Sequence, residues 1–300
     1  MIRSKKTILG IVTAVIVVMG LAGMGMLLYP TVSDWWNTTQ QVNAIAEYDR
    51  VVKEMDTAQI DDALHAAEQY NAWLAQRGMA LKLSPEETKD YDSLLNISGD
   101  GIMGVIEIPK INVTLPIFHG TSEEALSEAV GHIAGTSLPV GGPGTHCCLS
   151  GHRGLPSARL FTDLTSMETG DKFVLLVLNR TMTYEVDDVR TVLPDEADSL
   201  TIDAVQDYVT LVTCTPYGVN THRLLVRGHR IPNDPEEVRL LADAVQIKTP
   251  FVAMGIAVLV IVCATVWLAL FIHNRIRRRR ILEVTELEFQ KRLAERKKRQ

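Results

Sequence analysis

Eight short runs of β-type residues, each broken off by Gly, Pro or polar turns, crowd into about 130 residues of this chain. They are Met103–Ile108, Val113–Phe118, Gly131–Ala134, Thr145–Leu149, Lys172–Leu178, Thr183–Val192, Tyr208–Thr213 and Arg223–Arg230. Strands this short and closely spaced leave unpaired edges unless the sheet closes on itself. The pattern therefore predicts a mainly β fold with helices, its centre an eight-stranded, closed or nearly closed barrel over residues 99–232. No internal repeat is present.

Helical signals precede and follow the barrel. Val42, Ile45, Tyr48, Val52 and Met55 recur at helical spacing. Asp56 and Gln59 have the N-cap and N3 pattern of a capping box, and Gly78 suits a C-cap. Between them Ile60, Leu64, Ala67 and Trp73 or Leu74 share one side. Ser84-Pro85-Glu86-Glu87 is a further helix start, with Pro at N1 and Glu at N3. Residues 31–98 are thus expected to be an extracytoplasmic helical region with an N-terminal hairpin, acting as spacer or as regulator. Asp234-Pro-Glu-Glu237 is expected to cap a linker helix within residues 233–250.

Charge and hydropathy place this domain relative to a membrane. The net charge is +3 over residues 1–30, −16 over 31–250 and +7 over 251–300. An acidic centre argues against nucleic acid as a partner. Thr7–Tyr29 and Phe251–Ile272 are uncharged and apolar, each reaching the roughly 20 residues that cross a bilayer. Arg3, Lys5 and Lys6 precede the first; Arg275 and Arg277–Arg280 follow the second. The positive-inside rule puts both flanks in the cytoplasm and the acidic middle outside. The expected order is a membrane anchor at 1–30, a transmembrane helix at 251–273, and a basic cytoplasmic tail at 274–300. Cleavage of the first run as a signal peptide is the alternative, with small residues available at Leu21-Ala-Gly23.

Of the cysteines, Cys263 lies in the second apolar run, leaving Cys147, Cys148 and Cys214 outside. An odd number without spaced pairs is no disulfide framework. A free thiol in an oxidising compartment is explained by catalysis. Cys214 ends the run Tyr208–Thr213, a loop with Pro216, Gly218 and Asn220 follows, and a second run opens at Arg223. If the two runs pair as a hairpin, a thiol and a guanidinium meet at one end of a sheet. Ser150-Gly-His152-Arg-Gly-Leu-Pro156 supplies a base.

These are the parts of a thiol acyl-transfer site. Cys214 as thiolate is the nucleophile, His152 the acid and base, and Arg223 the holder of a carbonyl or oxyanion. Thr213, Thr215 and His132 are expected to contact substrate, and His119, His132 and His222 are further candidate bases. Each residue alone has a plain reading: a buried small hydrophobe, a surface loop histidine, a solvent-facing arginine. Their joint placement favours catalysis. His146-Cys147-Cys148 is poor chelation geometry, because neighbours on a strand point to opposite faces. One of these cysteines is expected inside the barrel and the other facing outward.

The segments Ser150–Leu164 and Thr210–Arg223 resemble those of class C sortases, the pilin-polymerising sortases of Gram-positive bacteria. Gly101-Ile-Met-Gly, Leu115-Pro-Ile-Phe-His-Gly120 and Gly131-His-Ile-Ala-Gly-Thr-Ser-Leu-Pro139 are similar to the same family, and the likeness covers about residues 40–232. The resemblance implies a sortase β-barrel with Cys214, His152 and Arg223 in the roles above. It implies cleavage of an LPXTG-like sorting signal between Thr and Gly, a thioester, and its resolution by an acceptor lysine of the next pilin. It implies no metal or organic cofactor. The second apolar run also fits, since class C members commonly carry a C-terminal anchor; with the charge pattern above, the catalytic domain is expected outside the cell membrane and both termini in the cytoplasm. The family's lid motif, Asp-Pro-aromatic, is not matched; the nearest residues are Ser84-Pro85-Glu86. A housekeeping sortase that anchors surface proteins to the cell wall, and a non-catalytic scaffold for pilus assembly, are the competing readings.

Overall fold

The structure is a computed structural model describing residues 2–79, 82–194, 196, 200–234 and scattered positions between 255 and 289. Gly23–Val245 form one compact unit, and Met1–Ala22 with Gln246–Gln300 a second. The barrel and its candidate site belong to the first.

Eight strands close the barrel: β1 (Ile102–Ile108), β2 (Val113–His119), β3 (Val130–His132), β4 (Thr145–Ser150), β5 (Lys172–Val177), β6 (Arg180–Val192), β7 (Asp207–Thr215) and β8 (His222–Ile231). Their order around the wall is β1-β2-β3-β4-β7-β8-β6-β5. The pairs β2–β3 and β4–β7 are parallel; the others are antiparallel. Every expected run contains a strand, although the third stops at His132, two residues short of the expected Ala134. Several extend further than expected, because ladder pairing continues through polar residues such as Arg180, Thr181 and Thr215. The β2–β3 crossover is tight: a Cβ on Gly131 would stand 2.3 Å from the Gly120 carbonyl oxygen, so only glycine fits.

The helices are α1 (Ile2–Glu54), α2 (Thr57–Arg77), α3 (Pro85–Ser93) and the short α4 (Glu123–Glu128). Both expected capping boxes are present, on Asp56 with Gln59 and on Ser84 with Glu87. The Gly78 N–H closes α2 on the Leu74 carbonyl. These helices are built onto the barrel. Ile45 and Tyr48 of α1 cover Ile102 and Val105 of β1. The Tyr48 hydroxyl donates to Met103 O at 3.1 Å and accepts from Leu178 N at 2.9 Å. Ile60, Leu64, Ala67 and Leu74 of α2 join the main core. Burying each of the larger side chains is worth about 1.5–3 kcal/mol. Asn71 pairs both ways with the Leu138 backbone, at 3.0 and 2.7 Å.

Among the described residues no helix is long and apolar enough to cross a membrane. The run Phe251–Ile272 lies largely outside those residues, as do the linker helix expected at 233–250 and the side chains of most of Thr7–Val17. In the tail, Val284–Phe289 is helical.

Candidate active site

Three strand ends converge at one rim of the barrel. In the β7–β8 ladder Cys214 stands directly opposite Arg223, and Thr215 opposite His222. The expected hairpin therefore exists, and it puts thiol and guanidinium on one face of adjacent strands. The intervening loop begins with a cis Thr215–Pro216 peptide. Pro216 O accepts from the amides of Val219 and Asn220. The Arg223 Nη1 donates to the carbonyls of Asn220 and His222, both at 3.2 Å. Cys214 is half-buried, whereas Cys147 and Cys148 are buried.

The parallel partner of β7 carries the histidine. Ser150 pairs with Val212, and Gly151 N continues the ladder to Val212 O at 3.0 Å. Two residues beyond that pair lie His152, just past the end of β4, and Cys214, still on β7. Thr213, 1% exposed, donates its hydroxyl to Gly151 O at 2.7 Å. It was expected to touch substrate; buried and committed to that bond, it ties the histidine segment to the nucleophile strand instead. A Cβ on Gly151 would stand 2.7 Å from the Phe161 ring, so the strand turns into the loop only with glycine here. The His152 carbonyl accepts from Phe161 N at 3.1 Å. Its Nε2 has no hydrogen-bond partner. The largely exposed Glu123 carboxylate stands 3.7 Å from it, too far for a hydrogen bond and an ion pair only with a protonated ring.

His132 also departs from its expected role. It is fully buried, with Nδ1 2.9 Å from the Tyr91 hydroxyl and Nε2 2.8 Å from Ser137 O. Tyr91 of α3 stacks on its ring and accepts from Gly120 N at 3.0 Å. His132 thus joins α3 to β2 and β3 and presents no edge to a substrate. Desolvation pushes its pKa down to about 4. The native state prefers the neutral ring, so its contribution to stability is complete above pH 6.5 and is lost as the pH falls toward 4. A loss of about 2–3 kcal/mol is expected across that window. Urea titrations at a series of pH values would show it, and His132→Gln should flatten the slope.

His146 is buried as well, bonded to Thr201 O and Thr210 Oγ1, each at 2.7 Å. His119 bonds to the carbonyls of Leu94 and Gly101. Cys147 lies in the barrel core, and Cys148 is buried too, beside Thr136, so neither of the pair is exposed where one was expected to face outward. Among the described residues no set of three metal-ligating side chains gathers.

Sequence reasoning missed two neighbours of the site. Arg153 donates from Nη1 to Thr215 Oγ1 at 3.0 Å, placing a second guanidinium beside the nucleophile strand. Its position directly after His152 was the only available signal. The Tyr217 ring lies against Gly154, where a Cβ would stand 2.6 Å from it.

A half-buried thiol paired across the ladder with an arginine, and a histidine two residues past the end of the neighbouring parallel strand, are the equipment of thiol-based acyl transfer. The sortase-domain family model matches residues 106–231. Sortase D of Bacillus subtilis is 30% identical over 159 residues, covering 52% of this chain and 77% of that protein. The chain belongs to the sortase family, whose members are cysteine transpeptidases. Within it the likeness is to class C. The crystal structure of sortase C1 from Streptococcus agalactiae is 52% identical, covers 64% of this chain and 100% of that one, and superposes with a TM-score of 0.63. Sortase C-1 from Actinomyces oris is 46% identical, covering 58% of this chain and 99% of that one, with a TM-score of 0.55.

Proposed function

We propose that this enzyme joins pilin subunits bearing an LPXTG-like sorting signal through lysine isopeptide bonds, and that Cys214, His152 and Arg223 perform the chemistry. The observation that carries the reading is the Cys214–Arg223 cross-strand pair beside the parallel strand that leads to His152. The Cys214 thiolate attacks the carbonyl carbon of the signal's Thr, and Arg223 holds the oxyanion. The Thr–Gly C–N bond breaks as protonated His152 gives its proton to the leaving amine. The acyl group then rests on sulfur as a thioester. The acceptor lysine's neutral amine attacks it, surrenders a proton to His152, and expels the thiolate. Thr215, on the same rim, is positioned to touch the signal.

The competing function is attachment of surface proteins to the cell wall. Offered one sorting-signal donor with a lysine-bearing pilin and a cell-wall peptide amine, the enzyme should join the donor mainly to the lysine. Transfer mainly to the wall peptide would make it a housekeeping sortase, and transfer to neither would leave a scaffold role.

The proposal includes anchoring in the cell membrane by both apolar runs, with the barrel outside and both termini in the cytoplasm. Its support is the sequence: two uncharged runs flanked by basic clusters, around a centre of charge −16. Protease added to intact, wall-stripped cells should cut between residues 31 and 250 and spare an epitope placed after Arg275. Digestion of that epitope from outside would refute the topology.

A further inference from the structure

The loop that carries His152 is held at both of its ends by the barrel. At its start Gly151 continues β4 and accepts from Thr213. At its finish the fully buried Phe161 donates to the His152 carbonyl. Its outer apex, Ser157 to Arg159, is held by something else. Asn37 of α1 donates from Nδ2 to Ser157 O at 2.9 Å. Asp34 Oδ1 accepts the Arg159 N–H at 3.0 Å. One turn further along, Gln41, buried, donates from Nε2 to Glu128 O at 2.5 Å, at the end of α4. The start of that same helix bears Glu123, the carboxylate nearest the His152 ring.

Asp34, Asn37 and Gln41 are spaced i, i+3 and i+7, so one stripe of α1 makes all of these contacts. That stripe begins five residues after Tyr29, the last residue of the first apolar run. We infer that the Asp34–Gln41 stretch of α1 is a positioning element for catalysis, fixing the His152 loop and α4 from the helix that leads out of the apolar run.

The reasoning is geometric. Within the loop Arg153 is bonded to Thr215 and Gly154 N to Thr162 Oγ1, and Ala158 and Leu160 pack in the main core. The two bonds from α1 add a fixed point outside the barrel at the backbone of Ser157 and Arg159, and so narrow the remaining freedom of the segment. Both bonds to the apex engage backbone groups, so they fix the path of the chain and not merely one side chain. The Asp34 carboxylate makes its bond charge-assisted, and among the described residues the Arg159 amide has no other acceptor. The Phe161-to-His152 hydrogen bond transmits apex movement directly to the residue that carries the imidazole. Asp34, Asn37 and Gln41 touch neither thiol nor substrate; they act through His152.

The inference rests on the proposed role of His152 for its kinetic consequence, but not for its structural one. The test uses the full chain in lipid nanodiscs and a synthetic peptide containing a Leu-Pro-X-Thr-Gly signal. Amide hydrogen exchange over residues 152–161 and the rate of thioester formation on Cys214 are measured together. The Asp34→Ala, Asn37→Ala double variant should exchange faster across that segment and lose about tenfold in kcat with KM for the peptide little changed. Asp34→Asn, whose side-chain oxygen still accepts the Arg159 amide, should restore the protection at Arg159 and most of the rate. Single Asn37→Ala should give an intermediate result and serves if the double variant folds poorly. Unchanged exchange in a folded variant would overturn the inference, and so would faster exchange with an unchanged kcat. If the unaltered enzyme forms no thioester, the proposed reaction fails, while the exchange measurement still decides whether α1 holds the loop.

Discussion

Cys214→Ala is expected to abolish both the acyl-enzyme and the pilin polymer while leaving the barrel folded. No other thiol can substitute among the described residues. Cys147 and Cys148 are buried, and desolvation pushes both thiols far above the usual range, Cys148 beyond the reach of neutral pH. The substitution removes one sulfur from a half-buried position at the barrel rim, so the cost in stability should stay within about 1 kcal/mol. The two effects therefore separate cleanly: a melting temperature near that of the parent, and no turnover. Cys214→Ser is a sharper version, since a hydroxyl of nearly the same size is far less ionised than the thiol. Residual polymerisation by Cys214→Ala would mean that another group carries the acyl chain.

The second large effect is expected from Phe161→Ala. The ring is fully buried, belongs to the main core, and fills the space in front of Gly151. Its removal should cost about 3–5 kcal/mol, the range for truncating a buried aromatic. For a domain of this size that corresponds to a fall in Tm on the order of 10 °C. A functional loss should accompany it even where the protein remains folded: the backbone N–H at 161 is kept, but without the buried ring the segment that holds the His152 carbonyl is no longer anchored in the core. Phe161→Leu, which keeps most of the volume, should recover most of the stability. A variant with normal Tm would show that the loop repacks easily around the missing ring. It would also weaken the case that this loop holds His152 rigidly.

The strands were legible because turn chemistry brackets them: Pro109 and Asn112 between β1 and β2, Gly170 before β5, Pro216 and Gly218 between β7 and β8. The helix starts were legible for a similar reason, since a capping box is a local pattern whose hydrogen bonds span three residues. The Cys214–Arg223 juxtaposition also followed from local order, because a hairpin fixes its own register. The parallel pairing of β4 with β7 did not, and that pairing brings the segment leading to His152 beside the strand that carries Cys214. Parallel neighbours are joined through long crossovers, so nothing between residues 150 and 212 announces their register. Burial of polar side chains was equally hidden. Thr213 and His132 sit in motifs that suggested substrate contact, yet their partners, Gly151 and Tyr91, come from distant segments. One of Cys147 and Cys148 was expected to face outward, because alternation along a strand says which face a residue takes, not whether that face is covered; both are buried. The ties from Asp34 and Asn37 to the His152 loop span more than a hundred residues of sequence and have no local signature.

The central claim is that acyl transfer passes through sulfur at position 214. The most direct measurement is intact and peptide-level mass spectrometry of the enzyme after brief incubation with a peptide containing a Leu-Pro-X-Thr-Gly signal. The account predicts a mass increment equal to the peptide cleaved after Thr, located on the fragment containing Cys214. That adduct should be released by hydroxylamine, as a thioester is. An increment located elsewhere, or cleavage of the peptide with no hydroxylamine-labile adduct on Cys214 under conditions that trap one, would contradict it.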